Sequence, residues 1–109
     1  MKQWDIWSFP FTEGAHPVVI VSPDEICANA DFREVNVLFC ATHRPINRAP
    51  KGFEVILDET DGLNWRTAVR CHKLLFVPKA ILTNHLGSVS LLRRREVARK
   101  IVEVFRLPI

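Results

Sequence analysis

The sequence lacks any apolar run long enough to cross a membrane, since nothing in its 109 residues approaches the roughly 20 consecutive apolar residues of a spanning helix. It also lacks a long polar tract, an internal repeat and a low-complexity segment, and its hydrophobic content of 48% argues against disorder. The first residues, with Trp4, Asp5 and Trp7, do not have the basic-then-apolar layout of a signal peptide. We therefore expect a globular, cytoplasmic protein with one domain over residues 1–109.

Cysteine is scarce, and the odd count (Cys27, Cys40 and Cys71) excludes a framework of paired disulfides as the basis of the fold. Two of the three lie in apolar, strand-like surroundings, where a free cysteine behaves as a small hydrophobic residue. A zinc site would need Cys40 and His43 together with Cys71 and His72. Because adjacent strand residues point to opposite faces, Cys71 and His72 should not share a metal. We predict neither a metal nor another cofactor.

The chain reads mainly as β-structure. Five segments rich in β-branched and aromatic residues are bounded by turn residues, which predicts a small barrel or curled antiparallel sheet. Proline at position 78 predicts a short extra turn over residues 78–82. The five predicted strands are residues 4–9, 17–21, 35–40, 53–57 and 67–77.

The C-terminal end changes to a helical period. Ser88 and Ser90 are candidate N-caps, and apolar residues recur at helical spacing from Val97 to Phe105, before Pro108. Three arginines at positions 93–95 fall in the first turn, where positive charge opposes the helix dipole. Either nearby acids offset them or a partner supplies negative charge.

Basic side chains are unevenly distributed in a chain whose net charge is only +3. Residues 41–53 contain no acid, and two prolines and a glycine mark them as a loop. Residues 93–95 form a second cluster. Either cluster alone is typical of a solvated surface, but two clusters in a chain with a pI near 9.0 favour a polyanionic partner. The basic residues of this loop, called here the basic loop (residues 43–51), are His43, Arg44, Arg48 and Lys51.

Two titratable or charged residues occupy unusual places in the predicted strands. His16 follows the turn residue Gly14 and precedes Pro17, so it is held at the mouth of the second strand. Arg70 lies among apolar residues, where a guanidinium is unfavourable unless it faces a cleft or a paired acid. It is either a phosphate ligand on a rigid strand or one half of a structural ion pair with an acid of residues 58–61.

Six segments, in order and spacing, resemble the MazF/PemK toxins of type II toxin-antitoxin systems, and the resemblance covers nearly the whole chain. It implies an SH3-like small barrel of antiparallel strands with a C-terminal helix. It also implies an expected homodimer that is neutralised by an antitoxin chain and cuts single-stranded RNA, such as mRNA, without a metal. In that family the neighbouring 2′-hydroxyl attacks the phosphate and leaves a 2′,3′-cyclic phosphate. The segments are WDIWSFPF, HPVVIVSP, VNVLFCAT, FEVILD, TAVRCHKL and LGSVS.

The residues that the resemblance assigns to catalysis are matched unevenly. Thr42 matches the threonine that closes the third strand, and Arg70 matches the arginine of a Val-Val-Arg-Cys-Asp motif. His16 stands where the family usually has arginine before proline, and His72 replaces the aspartate of that motif. One interpretation makes His16 and His72 an acid-base pair around a phosphate held by Arg70 and Thr42, because imidazole titrates near neutral pH. The other is an inactive relative that only binds RNA or its partner.

The remaining expectations concern the RNA surface and the partner. The short first loop, PFTEGA, would leave an open groove, so the basic loop should carry salt-dependent backbone contacts and the exposed Trp65 should stack on a base. Trp4 and Trp7 are better explained by core or dimer packing. An acidic antitoxin segment would dock on the basic loop and on residues 93–95. The competing function is a CcdB-like toxin that shares this fold but binds gyrase and cuts nothing.

Overall fold

A six-stranded antiparallel sheet in the order β4-β5-β3-β2-β1-β6 forms the main element of the computed structural model, which describes all 109 residues. Two helices, α1 (Asp24–Ala28) and α2 (Leu91–Phe105), and two short 3-10 turns at Glu59–Asp61 and Lys79–Ile81 complete the chain. No helix combines the length and the apolar character that crossing a bilayer requires. The strands are β1 (Asp5–Phe11), β2 (Gly14–Ile20), β3 (Glu34–Thr42), β4 (Glu54–Leu57), β5 (Thr67–Pro78) and β6 (Thr83–Ser88).

The predicted mainly-β fold with a C-terminal helix is confirmed, with two elements added. The five predicted strands are β1 to β5, and the predicted turn after Pro78 is the 3-10 turn Lys79–Ile81. About five strands were expected and the sheet has six. The strand that was missed, β6, lies at the edge of the sheet and pairs only with β1. Its first residues are polar and exposed, so its sequence shows no apolar alternation. The helix α1 was also missed, since five residues are too few to show a helical period.

Both faces of the central strands are covered, which is why β2 contains an unbroken apolar run. Val19 and Leu38 belong to a core beneath α2, to which that helix contributes Val97 and Ile101. Val18 and Val37 point the other way, into a second cluster that includes Val77 of β5. Trp4 packs against the first core and Trp7 against the second, as the packing interpretation of these residues predicts.

A bulge in β5 decides which side chains meet on the face of the sheet opposite α2. Leu38 pairs with Leu74 and Cys40 pairs with Val69, so residues 70–73 of β5 lie opposite Phe39 alone. As a result Val69 points toward α2, whereas Val77 at the other end of the same strand points away from it. Leu38 and Cys40 also point toward α2, so Phe39 between them faces away from it.

Two of the three arginines at the start of α2 form hydrogen bonds within the chain, and one of them is paired with acids. Arg93 donates to Asp58 at 2.8 and 3.0 Å and to the buried Asp61 at 2.6 Å, and this guanidinium holds the pKa of Asp58 well below its usual range. Arg94 donates to the carbonyl of Val89 at 2.7 Å. Only Arg95 has no such partner. Of the two explanations for this cluster, nearby acids therefore account for Arg93.

The C-terminus of α2 and the cysteines follow ordinary helix and core rules. Arg106, at φ 51°, reverses the chain after Phe105, and the N–H of Leu107 bonds back to Val102. All three cysteines are buried and unpaired, and burial raises the pKa of the Cys71 thiol to about 12. A thiol in that state is an apolar core residue rather than a nucleophile.

Candidate functional site

The ring of Phe39 lies at the centre of a cluster of basic and aromatic side chains on the sheet face opposite α2. The His16 ring from β2 lies 5.0 Å from it, between centroids, and Phe11 of β1 lies 5.1 Å from it. From β5, the guanidinium carbon of Arg70 is 5.6 Å and the ammonium of Lys73 is 4.1 Å from the ring centroid. The bulge opposite Phe39 is what allows two cations from one strand to reach the same ring.

The guanidinium of Arg70 has one acidic neighbour and no hydrogen bond to the protein. Its Nε lies 4.0 Å from Oε2 of Glu54, too far for a hydrogen bond, and this buried Nε has no partner. The alternative of an ion pair with an acid of residues 58–61 was wrong in the acid it named, because Asp58 and Asp61 are engaged by Arg93 and the acid nearest Arg70 is Glu54. With about a third of its side chain exposed, the guanidinium is available to an anion from solution.

Glu54 connects Arg70 to the basic loop. Its carboxylate is fully buried and accepts two hydrogen bonds from Arg48, at 2.8 and 3.1 Å, and one from the Lys51 N–H at 2.9 Å. The Arg48 guanidinium lowers the pKa of Glu54, which keeps this carboxylate ionised. Arg48 also donates to the carbonyl of Arg44. Its charge is therefore balanced within the protein, and its role in the structure is to anchor the loop.

The other residues predicted to contact RNA occupy different environments. Arg44 and Lys51 are exposed and have no ion-pair partner, and Thr42 is exposed at the end of β3. Trp65 is 59% exposed, as expected of a base-stacking residue in a polar turn. His43, by contrast, is only 2% exposed, and neither of its ring nitrogens has a hydrogen-bond partner. The imidazole of His43 is thus part of the interior and not of the basic surface.

His16 and His72 lie on opposite sides of Arg70 and contact different aromatic rings, Phe39 and Phe53. Arg70 and His72 both point outward from β5, with Cys71 turned into the core between them, as the strand period predicts. The His72 ring, however, lies against Phe53 at a centroid distance of 4.0 Å, on the β4 side of the strand. The structure brings His16 and Arg70 together at Phe39, and it places His72 on the far side of Arg70.

Sequence reasoning missed two residues of this region, Lys73 and Glu54. Lys73 is three positions from Arg70, so a regular strand would place the two on opposite faces, and the bulge that aligns them leaves no signal in the sequence. Glu54 reads as an ordinary polar residue at the start of a strand. Only its position between Arg48 and Arg70 reveals its contacts.

The chemistry of this surface suits an anion. Two cations and an imidazole converge on one aromatic ring, and the nearest carboxylate, Glu54, is turned inward to Arg48. Guanidinium and ammonium groups bind phosphate oxygens, and neutral or charged imidazole accepts or donates a proton near pH 7. The cluster can therefore hold a phosphate beside a proton-transfer group.

Comparisons with known proteins agree with the fold and name a family. A model described as PemK-like, MazF-like toxin of type II toxin-antitoxin system matches residues 2–105. An endoribonuclease in complex with its cognate antitoxin from mycobacterial species is 18% identical, with a TM-score of 0.82, covering 100% of this chain and 98% of that one. The Mycobacterium tuberculosis toxin MazF-mt6 is 21% identical, with a TM-score of 0.78 and coverage of 95% and 99%.

A MazE-MazF crystal structure from Deinococcus radiodurans is similar as well, at 15% identity and a TM-score of 0.76, covering 99% of this chain and 97% of that one. No curated protein sequence matches the chain. The curled antiparallel sheet with its C-terminal helix is thus the fold of MazF toxins, as the resemblance of the sequence implied.

Proposed function

Since the chain belongs to the PemK-like, MazF-like toxins of type II toxin-antitoxin systems, we propose that it is an endoribonuclease that cleaves single-stranded RNA, such as mRNA, at selected sequences. The observation that supports this most directly is the meeting of Arg70 and His16 on the Phe39 ring, with His72 on the other side of Arg70. No step of the proposed reaction requires a metal. The alternative of an inactive relative would use the same cations to bind RNA and would differ only in the absence of cleavage.

In the proposed reaction the scissile phosphate lies at the Arg70 guanidinium, and Thr42, at the exposed end of β3 three residues beyond Phe39, contacts the RNA next to it. One imidazole, of His16 or His72, takes the proton of the 2′-hydroxyl as its oxygen attacks phosphorus. The bond from phosphorus to the 5′-oxygen then breaks, and that oxygen takes a proton from the other imidazole. The products are a 2′,3′-cyclic phosphate and a free 5′-hydroxyl. Arg70 stabilises the charge that builds on the phosphorane.

Bases and phosphates on either side of the cut would use the exposed part of the basic surface. Arg44 and Lys51 are free to neutralise phosphates, and Trp65 offers a stacking face. Arg48 would act indirectly, by holding the loop through Glu54. His43, which the sequence placed in this set, would take part only through the packing of the loop.

The proposal is tested with a long unstructured RNA of mixed sequence, incubated with the purified protein in EDTA and mapped by primer extension. We expect discrete cuts ending in cyclic phosphate, and we expect Arg70→Ala to lower the cleavage rate by about 10² to 10³, the usual loss of one transition-state stabiliser. Arg95→Ala, an exposed arginine of α2, is the matched control and should cleave normally. Absence of cuts, or cuts that Arg70→Ala retains, would refute the catalytic assignment and favour a CcdB-like binding toxin.

We also propose an acidic antitoxin as the partner and a homodimer as the assembly, in line with the family. The basic loop would receive the antitoxin, whereas residues 93–95 contribute little, because Arg93 and Arg94 are already bonded within the chain. Light scattering of the purified protein should give a dimer mass. A monomer mass would contradict the proposed dimer. Binding of RNA should be lost in the toxin-antitoxin complex, and a complex that still binds RNA would contradict the proposed docking of the antitoxin on the basic loop.

A further inference from the structure

Lys73 is the basic side chain of this face that the proposed reaction leaves without a role. Its ammonium lies 4.1 Å from the Phe39 centroid, and no carboxylate lies within ion-pair distance of it. An exposed lysine normally extends into water, where its ammonium is fully hydrated. Here the ammonium lies over an aromatic ring that is itself 5% exposed, beside a second cation.

Two unpaired or weakly paired cations on one ring repel each other. The centroid distances of 5.6 Å for Arg70 and 4.1 Å for Lys73 limit how far apart the two charges can be, and the Phe39 ring reduces their access to water. Cation-π attraction offsets part of this repulsion. A phosphate between the two groups would offset the rest, because its oxygens accept hydrogen bonds from both.

We propose that Lys73 is the second cation of the phosphate site, and that it binds the same RNA phosphate as Arg70 from the β3 side. This inference rests on the proposed function, since it names a further residue that contacts the substrate. The guanidinium N–H groups of Arg70 donate to the phosphate oxygens on one side, and the ammonium of Lys73 donates to an oxygen on the other side of the same phosphate. The charge on that oxygen grows as the phosphorane forms, so Lys73 stabilises the transition state more than the ground state.

The bulge in β5 gives this role a structural basis. A regular strand would turn Lys73 away from Arg70, whereas here residues 70–73 lie opposite the single residue Phe39, and both cations reach its ring. Bulges of this kind re-aim side chains and are common next to active sites. If Lys73 only packed against Phe39, its methylene stem would be sufficient. A variant that keeps the stem and removes the charge therefore separates packing from phosphate binding.

The experiment compares Lys73→Met, which keeps the stem, with Lys73→Arg, which keeps the charge. Lys100→Met is the matched control, because Lys100 is a partly exposed lysine of α2, on the other side of the sheet. Affinity for a 2′-O-methylated single-stranded RNA, which cannot be cut through the 2′-oxygen, is measured over a series of salt concentrations. Cleavage of the unmodified RNA is measured in parallel, and thermal unfolding checks that each variant is folded.

For Lys73→Met we expect the slope of log affinity against log salt to become shallower by about 0.7, the value of one phosphate contact on a single strand. We also expect cleavage to fall by about tenfold to a hundredfold, with kcat reduced more than KM is raised. Lys73→Arg should retain the slope and most of the cleavage. Lys100→Met should match the wild type in both.

The two proposals fail in distinguishable ways. A wild type that cleaves, together with a Lys73→Met variant that equals Lys100→Met, overturns the role of Lys73 and leaves the nuclease intact. A wild type that binds but does not cleave refutes the nuclease, and a shallower slope in Lys73→Met would still support the phosphate site. A wild type that neither binds nor cleaves overturns both.

Discussion

Replacing Arg93 by methionine should destabilise the protein substantially although it lies far from the proposed site. Arg93 joins the start of α2 to Asp58 and to the carboxylate of Asp61, which is fully buried. Loss of one partner from a buried ion pair costs about 3–5 kcal/mol. Arg93 is 24% exposed, and Asp61 keeps backbone donors from Asp58 at 3.0 Å and Ser90 at 2.8 Å, so water and these amides compensate in part.

We therefore expect the free energy of unfolding of Arg93→Met to fall by about 2–3 kcal/mol in urea denaturation. The corresponding melting temperature should fall by roughly 10 °C for a chain of this size. Arg95→Met is the control from the same turn of α2, where the arginine is exposed and unpartnered. Removing a positive charge near the helix N-terminus should leave stability unchanged or raise it by about 0.3–1 kcal/mol.

The pH dependence of this loss identifies its cause. Arg93 lowers the pKa of Asp58 in the folded state below the reference value of 3.8, so the unfolded chain takes up the proton first as the solution is acidified. The stabilisation is therefore complete above that reference value and is lost as the pH falls toward the folded pKa. The difference between wild type and Arg93→Met should narrow below about pH 4. A loss under about 1 kcal/mol, or a difference that does not change between pH 7 and pH 3, would refute this reasoning.

Two further substitutions test the close contact between Gly87 and Asp61 and the anchoring of the basic loop. Gly87→Ala should lower the free energy of unfolding by about 1–3 kcal/mol, because a Cβ there would clash with the carbonyl oxygen of Asp61, whereas Gly52→Ala, in open space, should not. Equal stability of the two variants in urea would contradict this. Glu54→Gln removes the charge that holds Arg48, so trypsin should cleave after Arg48 faster than in the wild type. An unchanged rate of cleavage at that bond would show that the basic loop does not depend on Glu54.

The sequence predicted correctly those features that depend on the pattern of neighbouring residues. β-Branched runs between turn residues predicted β1 to β5, and helical spacing after Ser90 predicted α2. The strand period placed Cys71 inward and His72 outward, and a polar turn predicted the exposure of Trp65. These inferences depend on neighbours within a few residues, which is why the sequence carries them.

The ion pairs and the interior of the basic loop could not be predicted in this way. An acid of residues 58–61 was one alternative partner for Arg70, but Asp58 and Asp61 bond to Arg93, 35 and 32 residues further along the chain. His43 looked like one more cation of an acid-free loop, and tertiary packing buries it. Loop residues have no regular period, so nothing in their order reports which of them face inward.

The sequence by itself determined the family, the first five strands with the C-terminal helix, and the presence of Arg70, His16 and His72, because these depend on residue types and local periods. Tertiary structure decided which of them meet. The bulge opposite Phe39 brought Lys73 beside Arg70, and the packing of β4 on β5 directed His72 to Phe53. A bulge changes the facing of every residue that follows it, and its position depends on the register between β3 and β5, which only the paired strands define.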